Sequence, residues 1–197
     1  MELEYGLVEN ALDSLREAMN YYNEGDEEDN ANQYKFSILL SAHCVELLLK
    51  EILRRNHPAL LFENIDSVKD LQDDDNQTVG YKNAIQRVKK LCGVDLKQYE
   101  TYIDELGRVR NQIQHYKCSI NGEYHKQLMA KTFSAIEFIF RDILGLKFED
   151  YENIEIFPKL DEIEKIMKVS RKKYGNSTVA VEQIFNDRKE ENYEDKE

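Results

Sequence analysis

The sequence predicts an all-α fold: an up-and-down bundle of four long helices plus a shorter helix, followed by a C-terminal extension. Three observations point there. Apolar residues recur at three- and four-residue steps through most of the first 145 positions, the period of a helix with one buried face. Only 2 prolines and 8 glycines occur in 197 residues, too few for the closely spaced turns of a sandwich or barrel. Charged residues make up 34% of the chain and fall between the apolar positions, so each helix keeps a polar face.

The first helix is expected over about residues 3–22, carried by Leu7, Ala11, Leu15, Ala18 and Tyr22. The run NEGDEEDN then reads as a turn, with Asp29 or Asn30 capping the next helix. The second helix, about 31–56, is apolar nearly all round and should be central. Pro58 bars its continuation, and the acidic stretch that follows is an exposed loop. A basic third helix, about 78–91, ends near Cys92–Gly93, where glycine takes a left-handed cap. A fourth, about 96–117, starts from Asp95 and carries Tyr99, Tyr102, Ile103, Leu106, Val109, Ile113 and Tyr116. SINGE marks a turn. The fifth, about 122–144, carries Leu128, Phe133, Ile136, Ile139, Phe140 and Ile143 and stops at Gly145. The bundle thus occupies residues 1–145. Residues 146–197 form an extension: a loop or short extended piece, a short amphipathic helix in KLDEIEKIMKV, and a charged tail, partly flexible or docked onto a partner protein.

Composition narrows the function. No apolar run is long enough to span a bilayer, and the acidic, amphipathic N-terminus does not read as a signal peptide, so a cytoplasmic protein is expected. Cys44, Cys92 and Cys118 lack CxxC spacing and read as reduced thiols. The four histidines show no HxxxH or HExxH pattern, so neither a metal nor a cofactor is expected. His43 reads as a core histidine and His125, just past a turn, as exposed. The net charge is −12, which argues against a general nucleic-acid surface. It is unevenly spread: residues 1–30 hold ten acids and one base, whereas residues 81–131 hold ten bases and five acids. That basic segment either accepts an anion or pairs with neighbouring acids.

The stretch RVRNQIQHYKC, residues 108–118, concentrates the chemistry. On a helix advancing about 100° per residue, Arg110 lies about 40° from the Leu106 core stripe, while Arg108, Asn111 and His115 lie about 140–200° away. Either Arg108, Asn111 and His115 form an outward polar surface, or Arg110 and His115 act together through a distortion or a second chain.

Arg110-Asn111-Gln112-Ile113-Gln114-His115 resembles the R-x4-6-H motif of HEPN domains, and Arg108 to His115 fits its looser form. The second helix, with an isolated Glu46 on an apolar background, is similar in style to that of many HEPN proteins. The resemblance covers roughly residues 3–145. It implies an all-α bundle that pairs as a homodimer, with one composite cleft formed where the two motifs meet. Active relatives are metal-independent ribonucleases, toxins or phage-defence effectors; others bind nucleotides or proteins. Arg110, His115 and Asn111 would then be catalytic, with Arg108 and Lys117 on phosphate. On the residues alone, Glu46 shares a face of the second helix with Phe36, Leu39, His43 and Leu47; either it pairs with Arg110 and supports the site, or it sits solvated at the bundle edge.

The chemistry suits the residues. Histidine transfers protons near neutrality, and arginine grips phosphate bidentately. One toxin branch carries a tyrosine two residues after the histidine; here that position is Lys117, with tyrosine at 116, so regulation at that tyrosine is not expected. The leading expectation is a HEPN-like ribonuclease acting on RNA. The alternatives are a catalytically silent dimer that binds nucleotides or a partner protein, and a Mg²⁺-dependent nucleotide pyrophosphohydrolase. For the last, Glu24 and Glu27 have ExxE spacing but read as part of a turn.

Overall fold

Helices α1 (Leu7–Glu28) and α2 (Ala31–Asn56) form an antiparallel hairpin around which the rest of the chain is assembled. The computed structural model describes residues 5–28, 30–71, 76–115 and 121–151, together with Lys168 and Lys172. Within them are five α-helices and no β-strand; α3 (Tyr81–Lys90), α4 (Tyr99–His115) and α5 (Gly122–Glu137) complete the set. None of these helices is long and apolar enough to cross a membrane.

α1 runs six residues further than its apolar spacing predicts, through Asn23–Glu28. The acidic run is helical because the next helix packs on it. The Tyr34 ring lies where a side chain at Gly25 would be, and a Cβ there would sit 2.4 Å from Tyr34 Cε1. Glu24 and Glu27 are therefore on a helix, not in a turn, and Glu24 accepts a hydrogen bond from Gln33 Nε2 at 3.0 Å. Asn30 is the α2 cap, its side chain accepting from the Asn32 backbone N–H; Asp29 lies outside the described residues.

α2 is central, as its composition demands: Cys44, Val45 and every residue from Leu47 to Leu53 are buried. Each large apolar side chain taken fully from water contributes about 1.5–3 kcal/mol, and Leu48, Leu49, Leu53, Phe133 and Phe140 all qualify. Glu51 is 2% exposed and survives burial because Arg54 and Arg55, one turn on, both grip it at 2.7–2.8 Å. Burial would raise its carboxyl, but the two arginines outweigh this and hold it below its usual range.

After α2, Pro58 opens a short 3-10 turn, Pro58–Leu61. The loop that follows returns through an isolated antiparallel bridge, Phe62 to Thr78. Arg87 of α3 clamps it, donating to the carbonyls of Leu60 (2.8 Å), Phe62 (2.6 Å) and Glu63 (2.9 Å). This clamp ties the last turn of α3 to the loop. Gly93 (φ +66°) closes α3 as expected.

Asp95 caps the turn before α4 rather than α4 itself. Its carboxylate accepts from the Lys97 N–H at 2.8 Å, and Lys97 adopts φ +54°. Asn121 caps α5 by accepting from Tyr124 N–H, and Gly145 (φ +67°) ends the helical run after a π-helical turn, Phe138–Ile143. The core continues past Gly145. Phe148 is buried and stacks on Phe140 with ring centroids 4.5 Å apart, within a 3-10 turn, Phe148–Tyr151, where a loop or extended piece is expected. The remainder of the extension, including the expected amphipathic helix, lies outside the described residues apart from Lys168 and Lys172.

Two histidines exchange the places expected of them. His125 is completely buried, and His43 is exposed. α5 starts at Gly122, as expected, but its first turn packs against Tyr34, so the His125 ring faces inward and stacks on it. Cys44 is buried and Cys92 half-buried; both are free thiols that burial pushes up, Cys44 far more. Cys118 lies outside the described residues.

Candidate functional site

α3 and α4 pack closely because α4 has no side chain at position 107. Tyr81 crosses over Gly107, buries its ring there, and donates its hydroxyl to the Ile103 carbonyl at 2.9 Å. A Cβ at 107 would lie 2.6 Å from Tyr81 Cε1. Beside this contact opens a cleft of about 670 Å³, floored by Tyr81 and Gly107. Lys82, Asn83 and Gln86 of α3 line one wall; Asp104, Arg108, Arg110 and Asn111 of α4 line the other. Gly80 precedes α3 with no side-chain cap.

Three of the residues singled out from sequence therefore meet in one place: Arg108, Arg110 and Asn111. Despite their angular separation on the helix, all three line the same cleft, and Arg110 and Asn111 touch each other. Arg110 Nη1 donates to Asn111 Oδ1 at 3.1 Å, so Asn111 orients the arginine.

The two arginines differ in their surroundings. Arg108 does not stand on an open outward face. It is half-buried and bound to Glu105 at 2.7 Å, with the Tyr124 hydroxyl of α5 completing the group at 3.4 Å from Arg108. Tyr124 also donates a very short hydrogen bond to Glu105. Burial first, then the Glu105 carboxylate, pushes the Tyr124 hydroxyl up. Arg110 has no carboxylate or backbone carbonyl partner among the described residues. The six other described arginines all have one or the other: Arg16, Arg54, Arg55, Arg87, Arg108 and Arg141.

Glu46 does not pair with Arg110, as the sequence suggests it should. Lys50, one turn along α2, takes it at 2.8 Å and donates a further bond to Thr78 Oγ1 at 3.0 Å. The local partner wins because a bond within one turn orders fewer groups than one across helices. Arg110 still lies close enough for its charge to act on His43. Burial is the main force lowering that imidazole; Glu46 opposes it, while Lys50 and Arg110 add to it.

His115 is exposed in the last turn of α4 and does not line the cleft. Lys117 lies outside the described residues. The basic segment divides between its two readings. Lys89 pairs with Glu100 and Arg108 with Glu105, whereas Lys82 and Arg110 remain open to solvent and ligand.

The cleft also holds residues not singled out from sequence: Lys82, Asn83, Gln86 and Asp104. A signal for Asp104 exists, since positions 104, 107, 108 and 111 form a polar stripe at helical spacing with a glycine in the middle. Nothing comparable marks the α3 residues. Burial, then Glu100, pushes the Asp104 carboxyl up, against the pull of Lys89 and Lys82. No group of three or more His, Cys, Asp or Glu side chains among the described residues is arranged to hold a metal ion.

Comparison with protein-family models, characterised proteins and solved structures finds no match to this chain.

Proposed function

We propose that this protein is a HEPN-like, metal-independent endoribonuclease of the defence or toxin type, an up-and-down bundle whose composite active site forms between two copies of the chain. The observation that carries the reading is Arg110. It is the one described arginine left without a carboxylate or backbone carbonyl partner, it is held by Asn111, and it stands five residues before an exposed histidine on the same helix. An unneutralised guanidinium at a cleft mouth is a phosphate ligand in waiting.

In this reading the His115 imidazole accepts the proton of a ribose 2′-hydroxyl. The 2′-oxygen bonds to phosphorus, the bond from phosphorus to the 5′-oxygen breaks, and that oxygen leaves with a proton from the imidazolium of the second copy, which becomes neutral as the first His115 becomes protonated. Arg110 balances charge on the phosphorane oxygens. Pairing of two copies supplies the second imidazole and brings His115 to the phosphate, which one chain does not do by itself.

A second reading has its own support. Because His115 stands outside the cleft that gathers Arg108, Arg110 and Asn111, a catalytically silent module that binds nucleotides or a partner protein fits the same arrangement. A Mg²⁺-dependent pyrophosphohydrolase fits less well, since Glu24 is already engaged by Gln33.

The test is cleavage of a mixed RNA pool in EDTA by wild type and His115→Ala. The proposal expects EDTA-resistant cleavage that falls by about 100-fold or more in the variant. Equal rates would sink it. No cleavage by either protein would favour the binding module, and Mg²⁺-dependent release of pyrophosphate from nucleoside triphosphates would favour the pyrophosphohydrolase class.

A further inference from the structure

Two clefts of similar size differ in how their charges are used. The first, about 580 Å³ at the open end of the α1–α2 hairpin, contains Glu9, Glu51, Arg54 and Arg55. Its charges are spent internally: Glu51 takes both arginines, and Arg55 donates further to the Leu144 carbonyl at 2.7 Å. The α3–α4 cleft, about 670 Å³, is the opposite case. Among the described residues, Lys82, Asn83, Gln86 and Asp104 have no hydrogen-bond or ion-pair partner, and Arg110 has only Asn111. A wall with open cations, open amides and an open carboxylate is complementary to a ligand that carries an anion at one end and N–H donors at the other.

We propose that the α3–α4 cleft is a nucleotide site that takes a guanosine phosphate, with Arg110 and Lys82 on the phosphate and Asp104 on the base. The cleft volume falls within the range of small-molecule sites, about 300–1,000 Å³. Lys82 and Arg110 provide two charges for a phosphate, and arginine presents parallel donors to its oxygens. The carboxylate sets the choice of base. Its two oxygens accept from two donors side by side, and guanine offers that pair in its N1–H and N2–H groups. Uracil offers one ring N–H flanked by carbonyls that repel a carboxylate. Asn83 and Gln86 each supply a donor suited to the guanine O6. Asp104 is exposed on the cleft wall, so its two oxygens meet a ligand without displacing a protein partner among the described residues.

This inference rests on the nucleotide-binding reading of the same cleft and shares Arg110 with the ribonuclease reading, but it needs neither a second copy nor His115. The same chemistry is offered by free guanosine monophosphate and by the 5′-phosphorylated guanosine at an RNA end.

The experiment is calorimetric titration of the full chain in EDTA with guanosine monophosphate, uridine monophosphate and inorganic phosphate. Guanosine monophosphate is expected to bind about 10-fold or more tighter than the uridine nucleotide, the least that a lost bidentate base contact costs. Asp104→Asn, nearly isosteric, faces the base with an amide and should bring the two nucleotides to equal affinity. Lys82→Ala, on the α3 surface, should weaken both alike. A pentanucleotide beginning with 5′-phosphoguanosine identifies the source: tighter binding than the free nucleotide assigns an RNA end, equal binding assigns the mononucleotide. The proposal is overturned if guanosine monophosphate does not bind, if it binds no better than the uridine nucleotide, or if Asp104→Asn leaves its affinity unchanged. Such a result leaves the EDTA-resistant cleavage test standing, and absent cleavage with bound guanosine monophosphate does the reverse.

Discussion

The imidazole of His125 stacks on the phenol ring of Tyr34 with centroids 4.1 Å apart, and neither ring nitrogen finds a hydrogen-bond partner among the described residues. Tyr22 approaches from α1 at 5.9 Å, so the histidine of α5 is held between aromatic rings of two other helices. Burial, with a smaller contribution from Lys126, lowers its pKa from 6.5 to about 3.

This makes His125 an acid-sensitive point of the fold. An unfolded chain takes up a proton there near pH 6.5, and the folded chain resists until about pH 3. The stability due to the neutral imidazole is therefore complete above about pH 6.5 and is lost as pH falls toward 3. Each pH unit across that window is worth about 1.4 kcal/mol. His125→Phe keeps an aromatic ring against Tyr34 and removes the titration. Urea unfolding of the variant at pH 7 should lie within about 1 kcal/mol of wild type, because the lost orphan nitrogens offset the larger ring. Between pH 6.5 and 4 the wild type should weaken by roughly 2–3 kcal/mol more than the variant. Parallel pH profiles would refute this account.

How far such features can be read from sequence depends on whether they are local. The bounds of α2 are legible because Asn30 and Pro58 act on the backbone next to them. The Lys50–Glu46 and Arg108–Glu105 pairs lie within one helical turn and are visible as spacings. The reach of α1 through its acidic end is not, because it rests on Tyr34 filling the space over Gly25. His43 and His125 are misplaced for the same reason: which face of a helix is buried is set by neighbours. The candidate site divides along this line too. The α4 half shows as a motif, while the α3 half depends on how Tyr81 docks.

That docking gives a second prediction. Alanine is a better helix former than glycine by about 1 kcal/mol, yet Gly107→Ala should destabilise the protein, because its Cβ would meet the Tyr81 ring 2.6 Å away. The ring is held from moving by its hydroxyl bond to Ile103. The expected cost is about 1–3 kcal/mol, that of overpacking a tight contact. In a Tyr81→Leu background the obstacle is gone, and the same substitution should stabilise by up to about 1 kcal/mol. A double-mutant cycle by chemical denaturation reads the change of sign. If Gly107→Ala costs the same in both backgrounds, the close approach of α3 to α4 is not what excludes a side chain there.

The two arginines at the cleft should separate by phenotype. Arg108 is tied to Glu105 and Tyr124, and it joins α4 to α5. Removing it leaves Glu105 and Tyr124 to each other, so Arg108→Ala should cost about 1 kcal/mol of stability, the worth of a half-exposed pair. Among the described residues Arg110 has one hydrogen bond, to Asn111, and no ion pair, so Arg110→Ala should leave stability within about 0.5 kcal/mol of wild type. Affinity for phosphate-bearing ligands should follow the opposite order. Arg110→Ala removes an unneutralised guanidinium and should weaken nucleotide binding by about 10-fold or more, whereas Arg108→Ala removes one already balanced by a carboxylate. Thermal unfolding and nucleotide titration of both variants measure this directly. A loss of binding that followed Arg108 instead would place the working guanidinium on the α5 side of the helix and require Glu105 to release it when ligand arrives.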